Sequence, residues 1–309
     1  MSALAETAQE YLTVRRALGF KLKNHGRLLP SLCAFLEDAG AAFITTDLAL
    51  AWARQPEGSV TWWRQRLSVA RGFARYMATL DPRTQIPPLG LLASRGRVNR
   101  RAVPYLYSDE DIAALITAAR QLRPLQAATY ETLVGLLAVT GLRVGEAIRL
   151  DRDDLDDNHS LLIVRDSKFN KSREVPLHQT TLEALHGYLQ RRDALCPNAT
   201  APSLFVSTAG TRLLYKVVQP TFARLCAHAD LKPRSRRCRP RLQDLRHTFA
   251  VKTLLGWYRC GADVDALLPR LSTVLGHADP RSTYWYLHAA PELLAMAAAR
   301  LERKQGEPS

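Results

Sequence analysis

Cysteine is scarce in this 309-residue chain, and the five present (Cys33, Cys196, Cys226, Cys238, Cys260) are scattered, odd in number and form no CxxC pair. That argues against a disulfide scaffold and against a zinc site, and it makes a reducing cytoplasm the expected compartment. Long apolar runs are missing too. The nearest, Leu133 to Leu142, contains Gly135 and Thr140 and stops at Arg143, well short of the roughly 18 residues a membrane span needs. The opening MSALAETAQE carries two early Glu and no basic start, which is not the pattern of a secretory signal. No period of the 20 to 50 residues typical of solenoids recurs. Acid is in short supply: 29 Asp plus Glu face 43 Lys plus Arg, a net charge of +14. No carboxylate cluster accompanies the basic groups, so a metal nuclease is disfavoured and neither metal nor cofactor is expected.

What is present describes an ordinary folded protein with a polyanion partner. An apolar fraction of 47% and a charged fraction of 23% support real cores. The length suggests two domains at about 150 residues each. The positive excess points to nucleic acid, although charge alone says nothing about fold.

Residues 1 to 80 read as helix throughout. Tyr11, Val14 and Leu18 share one face, as do Leu28, Leu32, Phe35 and Leu36, and a short helix follows Thr45–Thr46 around Leu48 to Arg54. The clearest pattern is Trp63, Leu67, Ala70, Phe73, Ala74 and Met77 at helical spacing, with Arg64, Arg66, Arg71 and Arg75 on the other positions. Those arginines are either a solvated surface or a phosphate-tracking face; Arg64 and Arg71 are taken as DNA contacts. From Asp81 to Arg101 the pattern breaks into Pro82, Pro87, Pro88 and Gly90, then Arg95, Arg97, Arg100 and Arg101. The expected division is a helical domain over 1–94, a basic linker over 95–104 and a second domain over 105–309.

Ser108 with Asp109, Glu110 and Asp111 opens a helix. Another runs from about Thr129 to Val139. Leu161–Val164 and Glu174–Leu177 flank Ser167-Lys168-Phe169-Asn170-Lys171-Ser172 as a hairpin with a basic tip, and a third strand is expected over Leu204–Val206. From about residue 216 onward the pattern is helical, with Gly276 a helix stop, Asp279–Pro280 a helix start and Pro291 the start of the last helix.

Four segments hold polar groups that core packing would not ask for. Thr140-Gly141-Leu142-Arg143-Val144-Gly145-Glu146 ends one helix and starts another. Arg143 there could grip a phosphate in bidentate fashion with Glu146 orienting it, although alone the two read as a surface pair. Lys168 sits at the hairpin tip beside Lys171 and Arg173. Gln243-Asp244-Leu245-Arg246-His247 follows a run from Lys232 to Arg241 with six basic residues (Arg234, Arg236, Arg237 and Arg239 among them) and no acid. His277 sits in Leu275-Gly276-His277, nine residues before Tyr286.

Individually each has a plainer reading, but their order and spacing together resemble the tyrosine recombinases, also called phage integrases, over essentially the whole chain. The resemblance implies a mostly α protein: a helical N-terminal core-binding (SAM-like) domain and an α+β catalytic domain with a small antiparallel sheet. It implies that Tyr286 attacks a scissile phosphate of double-stranded DNA, leaving a 3′-phosphotyrosyl link and a free 5′-hydroxyl. Arg143 and Arg246 would clamp the phosphate, Lys168 would protonate the leaving oxygen, and His277 would donate to the phosphate. Glu146 and His247 would support the site. One position departs from the pattern: Gln243 stands where the family most often has His, and an amide donates a hydrogen bond but cannot shuttle a proton. The remaining DNA contacts are expected at Arg97, Arg100, Arg101, Lys171, Arg173, Arg234, Arg236, Arg237, Arg239 and Arg241. The resemblance further implies a homo-oligomer, four protomers on two duplexes, joined by the last helix. The rival expectations are a catalytically weak or inactive paralogue that acts as an architectural or regulatory DNA-binding protein, and a type IB topoisomerase without site choice.

Overall fold

The computed structural model describes residues 2–92, 103–165, 172–277, 279, 281–287, 292–293 and 296. The chain divides into two compact units, residues 1–101 and 102–309. Most of the expected linker, together with Lys168, Lys171 and nearly all of the last helix, lies outside the described residues.

The described residues of the first unit form four helices: α1 (Ala3–Ala17), α2 (Lys23–Asp38), α3 (Thr46–Arg54) and α4 (Val60–Leu80). Three begin at hydroxyl caps, Ser2 accepting from Ala5 N, Thr45 from Leu48 N and Ser59 from Trp62 N, which satisfies N–H groups the first turn leaves unpaired. Leu29, Leu32, Leu36, Trp52, Ala70 and Phe73 are fully buried in one core. The arginines of α4 are not a uniform solvent face. Arg66 is buried with its guanidinium 3.9 Å from the Trp52 ring centre. Arg64 donates to Leu92 O, and Arg71 to Pro87 O and Pro88 O, so both hold the proline-rich segment against α4.

The second unit continues with α5 (Asp109–Arg120), α6 (Pro124–Thr140), α7 (Val144–Ala147) and a 3-10 turn at Arg152–Asp154. Strands β1 (Leu155–Asp156), β2 (Leu161–Val164) and β3 (Arg173–Pro176) follow. Then come α8 (Gln179–Leu195), α9 (Tyr215–His228), α10 (Asp244–Arg259), α11 (Val264–Leu275) and α12 (Arg281–Leu287). The strands form one antiparallel sheet in the order β1-β2-β3, with Leu162 opposite Val175 and Leu155 opposite Leu162. Leu204–Val206 is not its third strand. Those residues are buried, but none of them joins the ladder: Val206 forms an isolated bridge with Arg212, Leu204 N donates to Leu150 O, and the ladder's third member is the two-residue β1. Nor is the chain helical throughout after 216, because residues 229–243 form a loop between α9 and α10.

That loop contains the basic run, and it is docked. Val103 N donates to Arg237 O, and the buried Cys238 thiol donates to Pro104 O. Arg236, Arg237 and Arg239 are left on the surface. No helix among the described residues is long and apolar enough to cross a membrane.

Candidate active site

Two glycines set the site's backbone. Gly141 ends α6 at φ 62° and Gly276 ends α11 at φ 66°, a conformation that costs a side-chain-bearing residue about 1–2 kcal/mol. A side chain would also force a neighbour to move. A Cβ on Gly141 would lie 2.4 Å from Phe249 Cδ1, and one on Gly276 would lie 2.7 Å from Arg173 Nη1. Helix ends leave carbonyls without intrahelical partners, and they carry partial negative charge. Here arginines take them.

Arg246, on the first turns of α10, donates from Nη1 to Gly141 O (2.8 Å) and from Nη2 to Leu275 O (2.6 Å). It is only 7% exposed, and burial, followed by the neighbouring Arg143 charge, brings its pKa down to about 10. It is therefore still a cation at neutral pH, and the Tyr286 side chain is among the neighbours that act on its pKa. Arg143 precedes α7. It donates from Nη1 to Glu146 Oε1 (2.8 Å) and from Nη2 to Gly276 O (3.1 Å), while its backbone N–H reaches Glu146 Oε2 (3.1 Å). Of its five N–H donors this occupies two, and the side chain is 38% exposed, so the guanidinium keeps donors for an incoming ligand.

Glu146 is 3% exposed and is shared by two cations, because Arg173 also donates to it, Nη2 to Oε2 at 2.8 Å and Nη1 to Oε1 at 3.3 Å. Burial pushes its pKa up. The hydrogen bonds and charges of Arg173 and Arg143 more than reverse that, leaving it at about 2. Arg173 is thus not on the hairpin surface. It starts β3 pointing inward, where its Nε also donates to Val274 O (2.8 Å).

His277 follows the α11 stop. Its Nδ1 pairs with Thr283 Oγ1 at 2.7 Å, and its ring stacks on Tyr286 (5.9 Å between centres, 17° between planes). His247 packs nearby, 5.2 Å from the Trp285 ring and 5.5 Å from that of Tyr286. Burial lowers both histidines to about 4, aided by Arg246 and Arg143 for His277 and by Arg241 and Arg246 for His247. Tyr286 is 3% exposed in this arrangement, whereas Tyr284, two residues earlier, is 47% exposed and turned away from it.

Of the residues singled out in the sequence, Arg143, Glu146, Arg246, His247, His277 and Tyr286 converge here. Gln243 is exposed at the start of α10 and makes no capping hydrogen bond. Arg241 forks onto the fully buried Asp244 (both contacts 2.9 Å), and Arg234 lies over Tyr105 and donates to Leu106 O. Three residues that sequence reasoning passed over belong to the site. Thr283 orients His277, Trp285 packs on His247, and Asp244 anchors the start of α10. The i, i+3 spacing of Arg241 and Asp244 was the one available signal.

The model of the phage integrase family matches residues 106–292, the stretch that holds every one of these groups. The chain belongs to that family. Likeness extends beyond the site to nearly the whole chain. The protein y4rB of Sinorhizobium fredii, named as an integrase/recombinase, is 46% identical over 98% of both chains. The tyrosine recombinase XerC of Mycobacterium tuberculosis is 30% identical over 94% of this chain and 95% of its own. Among solved structures, the Tn1549 transposon integrase in complex with a circular intermediate DNA shares the fold, with a TM-score of 0.64 over 96% of this chain and 99% of that one at 19% identity.

Proposed function

We propose that this chain is a site-specific DNA recombinase that breaks and rejoins duplex DNA through a covalent 3′-phosphotyrosine intermediate, with Tyr286 as nucleophile. The observation that carries the reading is the convergence of Tyr286, Arg246, Arg143 and His277 around two helix ends. Tyr286 Oη attacks the scissile phosphorus and gives up its proton to water, its bond to phosphorus forms as the bond to the 5′-oxygen breaks, and that oxygen takes a proton and leaves as a hydroxyl. The bond energy is kept in the ester, so religation by a 5′-hydroxyl needs no external energy source. Arg246 and Arg143 present donors where charge builds on the non-bridging oxygens. Both are held in advance by carbonyls and a carboxylate, which is how electrostatic stabilisation is made effective. His277, neutral in the free protein, donates to the same phosphate. Lys168 is assigned the proton for the leaving oxygen, Gln243 a neutral hydrogen bond to the phosphate, and His247 and Glu146 support.

Outside the centre, residues 1–94 are assigned the core-binding role and 105–309 the catalytic role. The outward Arg236, Arg237 and Arg239 of the docked loop, with Arg97, Arg100, Arg101 and Lys171, are assigned to DNA phosphates. A tetrameric synapse on two duplexes through the C-terminal helix, acting in the cytoplasm, completes the reading. The likeness to relatives named integrase/recombinase and tyrosine recombinase, together with the convergence above, favours an active enzyme over an architectural paralogue.

The test is incubation with a library of nicked duplexes randomised through the nicked region, followed by SDS denaturation. A protein–DNA adduct removed by protease and enriched for one sequence is expected. Adducts with no sequence preference would indicate the topoisomerase. Tight, salt-sensitive binding without any adduct would refute the enzyme.

A further inference from the structure

Three consecutive carbonyls at the end of α11 accept hydrogen bonds from three different arginines. Val274 O takes Arg173, Leu275 O takes Arg246 and Gly276 O takes Arg143. Two of these arginines form the phosphate clamp assigned above. The third has no place in it. The Arg173 side chain is 7% exposed, and Gly276 packs so closely on it that an added Cβ would meet its Nη1 at 2.7 Å and its Cζ at 2.8 Å.

A guanidinium so enclosed could reach DNA only by abandoning a buried carboxylate, which would leave Glu146 partly unpaired in a dry site. Its geometry suits another task. Each Glu146 oxygen is held from two directions: Oε1 by Arg143 Nη1 and Arg173 Nη1, Oε2 by Arg143 N and Arg173 Nη2. Without Arg173, each oxygen keeps one of its two donors, and the carboxylate that aligns Arg143 is held by Arg143 alone. The same loss frees Val274 O, two residues before Gly276 and three before His277.

We propose that Arg173 is a positioning residue for DNA cleavage. It fixes the Glu146 carboxylate against which Arg143 is aligned, and it ties β3 to the turn that carries His277. The role rests on the recombinase reading of the site, and it differs from the DNA contact expected of Arg173 as a hairpin residue.

The experiment compares wild type, Arg173→Gln, Arg173→Lys, Glu146→Gln and the Arg173→Gln/Glu146→Gln double variant, on the nicked duplex selected above. Three quantities are read: single-turnover cleavage rate at saturating DNA, affinity across a salt series, and melting temperature. Arg173→Gln should lower the cleavage rate by about 100-fold, the scale expected when a catalytic group is displaced by roughly an ångström. Its affinity and salt slope should stay at the wild-type values. Arg173→Lys keeps the charge and guards against loss of the fold, but a single ammonium cannot span two carboxylate oxygens and a carbonyl, so it should restore only part of the rate. The double variant should be little slower than the slower single one, because both substitutions release the same brace.

A wild-type cleavage rate in a folded Arg173→Gln or Arg173→Lys protein overturns the proposal. So do losses that multiply in the double variant. A salt slope reduced by about one, with cleavage at saturation unchanged, would return Arg173 to the DNA-contact role. A wild type that forms no adduct overturns the recombinase reading itself, and this role falls with it.

Discussion

Replacing Glu146 with Gln changes one charge at the point where two arginines meet, and its consequence can be worked out in advance. The side chain is 3% exposed, and its pKa falls from 4.5 to about 2 in the folded protein, against burial and because of Arg173 and Arg143. That shift of about 2.5 units at 1.36 kcal/mol each amounts to about 3 kcal/mol of stability at neutral pH. An independent scale agrees: removing one partner of a buried ion pair costs roughly 3–5 kcal/mol. The sign follows from a depressed carboxylate. The stabilisation is fully present above pH 4.5, is lost as pH falls, and is gone only below about pH 2, where wild type also carries a neutral group. Urea unfolding of wild type and Glu146→Gln should therefore differ by about 3 kcal/mol at pH 7 and by about 2 kcal/mol less at pH 3. DNA cleavage should fall by roughly 100-fold, since Arg143 loses its brace. A difference under about 0.5 kcal/mol at pH 7, the range of an ordinary surface substitution, would refute the reasoning. So would a larger difference that is the same at both pH values.

Gly141→Ala combines left-handed backbone strain with a clash at Phe249, and should lower stability by roughly 2–5 kcal/mol and the melting temperature by roughly 5–15 °C. Unchanged melting would contradict the close approach on which the Arg246 acceptor depends. Gln243→His should keep or raise the cleavage rate, because it restores a protonatable donor at an exposed position that now makes no capping hydrogen bond. Abolished cleavage would show that the position has been misassigned. In the DNA-free protein the His277 and His247 imidazoles should titrate in proton NMR near pH 4, so folding stability should decline as pH drops from 6.5 toward 4. Midpoints near 6.5 would contradict their burial beside the arginines.

Much of this was legible because helices and clusters announce themselves at short range. The Trp63–Met77 stripe became the buried face of α4, and Leu161–Val164 became β2. Gly276 and Gly141 were readable as stops, since only glycine is at ease in the left-handed conformation both adopt. What sequence could not supply were partners far away along the chain. Arg64 and Arg71 looked like an outward basic face, yet their acceptors are carbonyls 28 and 16 residues downstream. Arg173 looked like hairpin surface because a charged residue at an inward strand position is expected to face water. Its partners Glu146 and Val274 lie 27 and 101 residues away. Leu204–Val206 was apolar enough for a strand but is buried without joining the ladder, so its composition reflected the core and not a pairing edge. The two residues of β1 are too few to leave a periodic pattern.

The central claim is that Tyr286 is the group that becomes joined to DNA. It is buried against His277 beside Arg246, while Tyr284 stands exposed two residues earlier. The direct measurement is covalent trapping on nicked duplex with wild type, Tyr286→Phe and Tyr284→Phe, followed by mass spectrometry of the nucleotide-bearing peptide. The account predicts an adduct in wild type and Tyr284→Phe, none in Tyr286→Phe, and the nucleotide mapped to Tyr286. An adduct that survives in Tyr286→Phe and vanishes in Tyr284→Phe would contradict it.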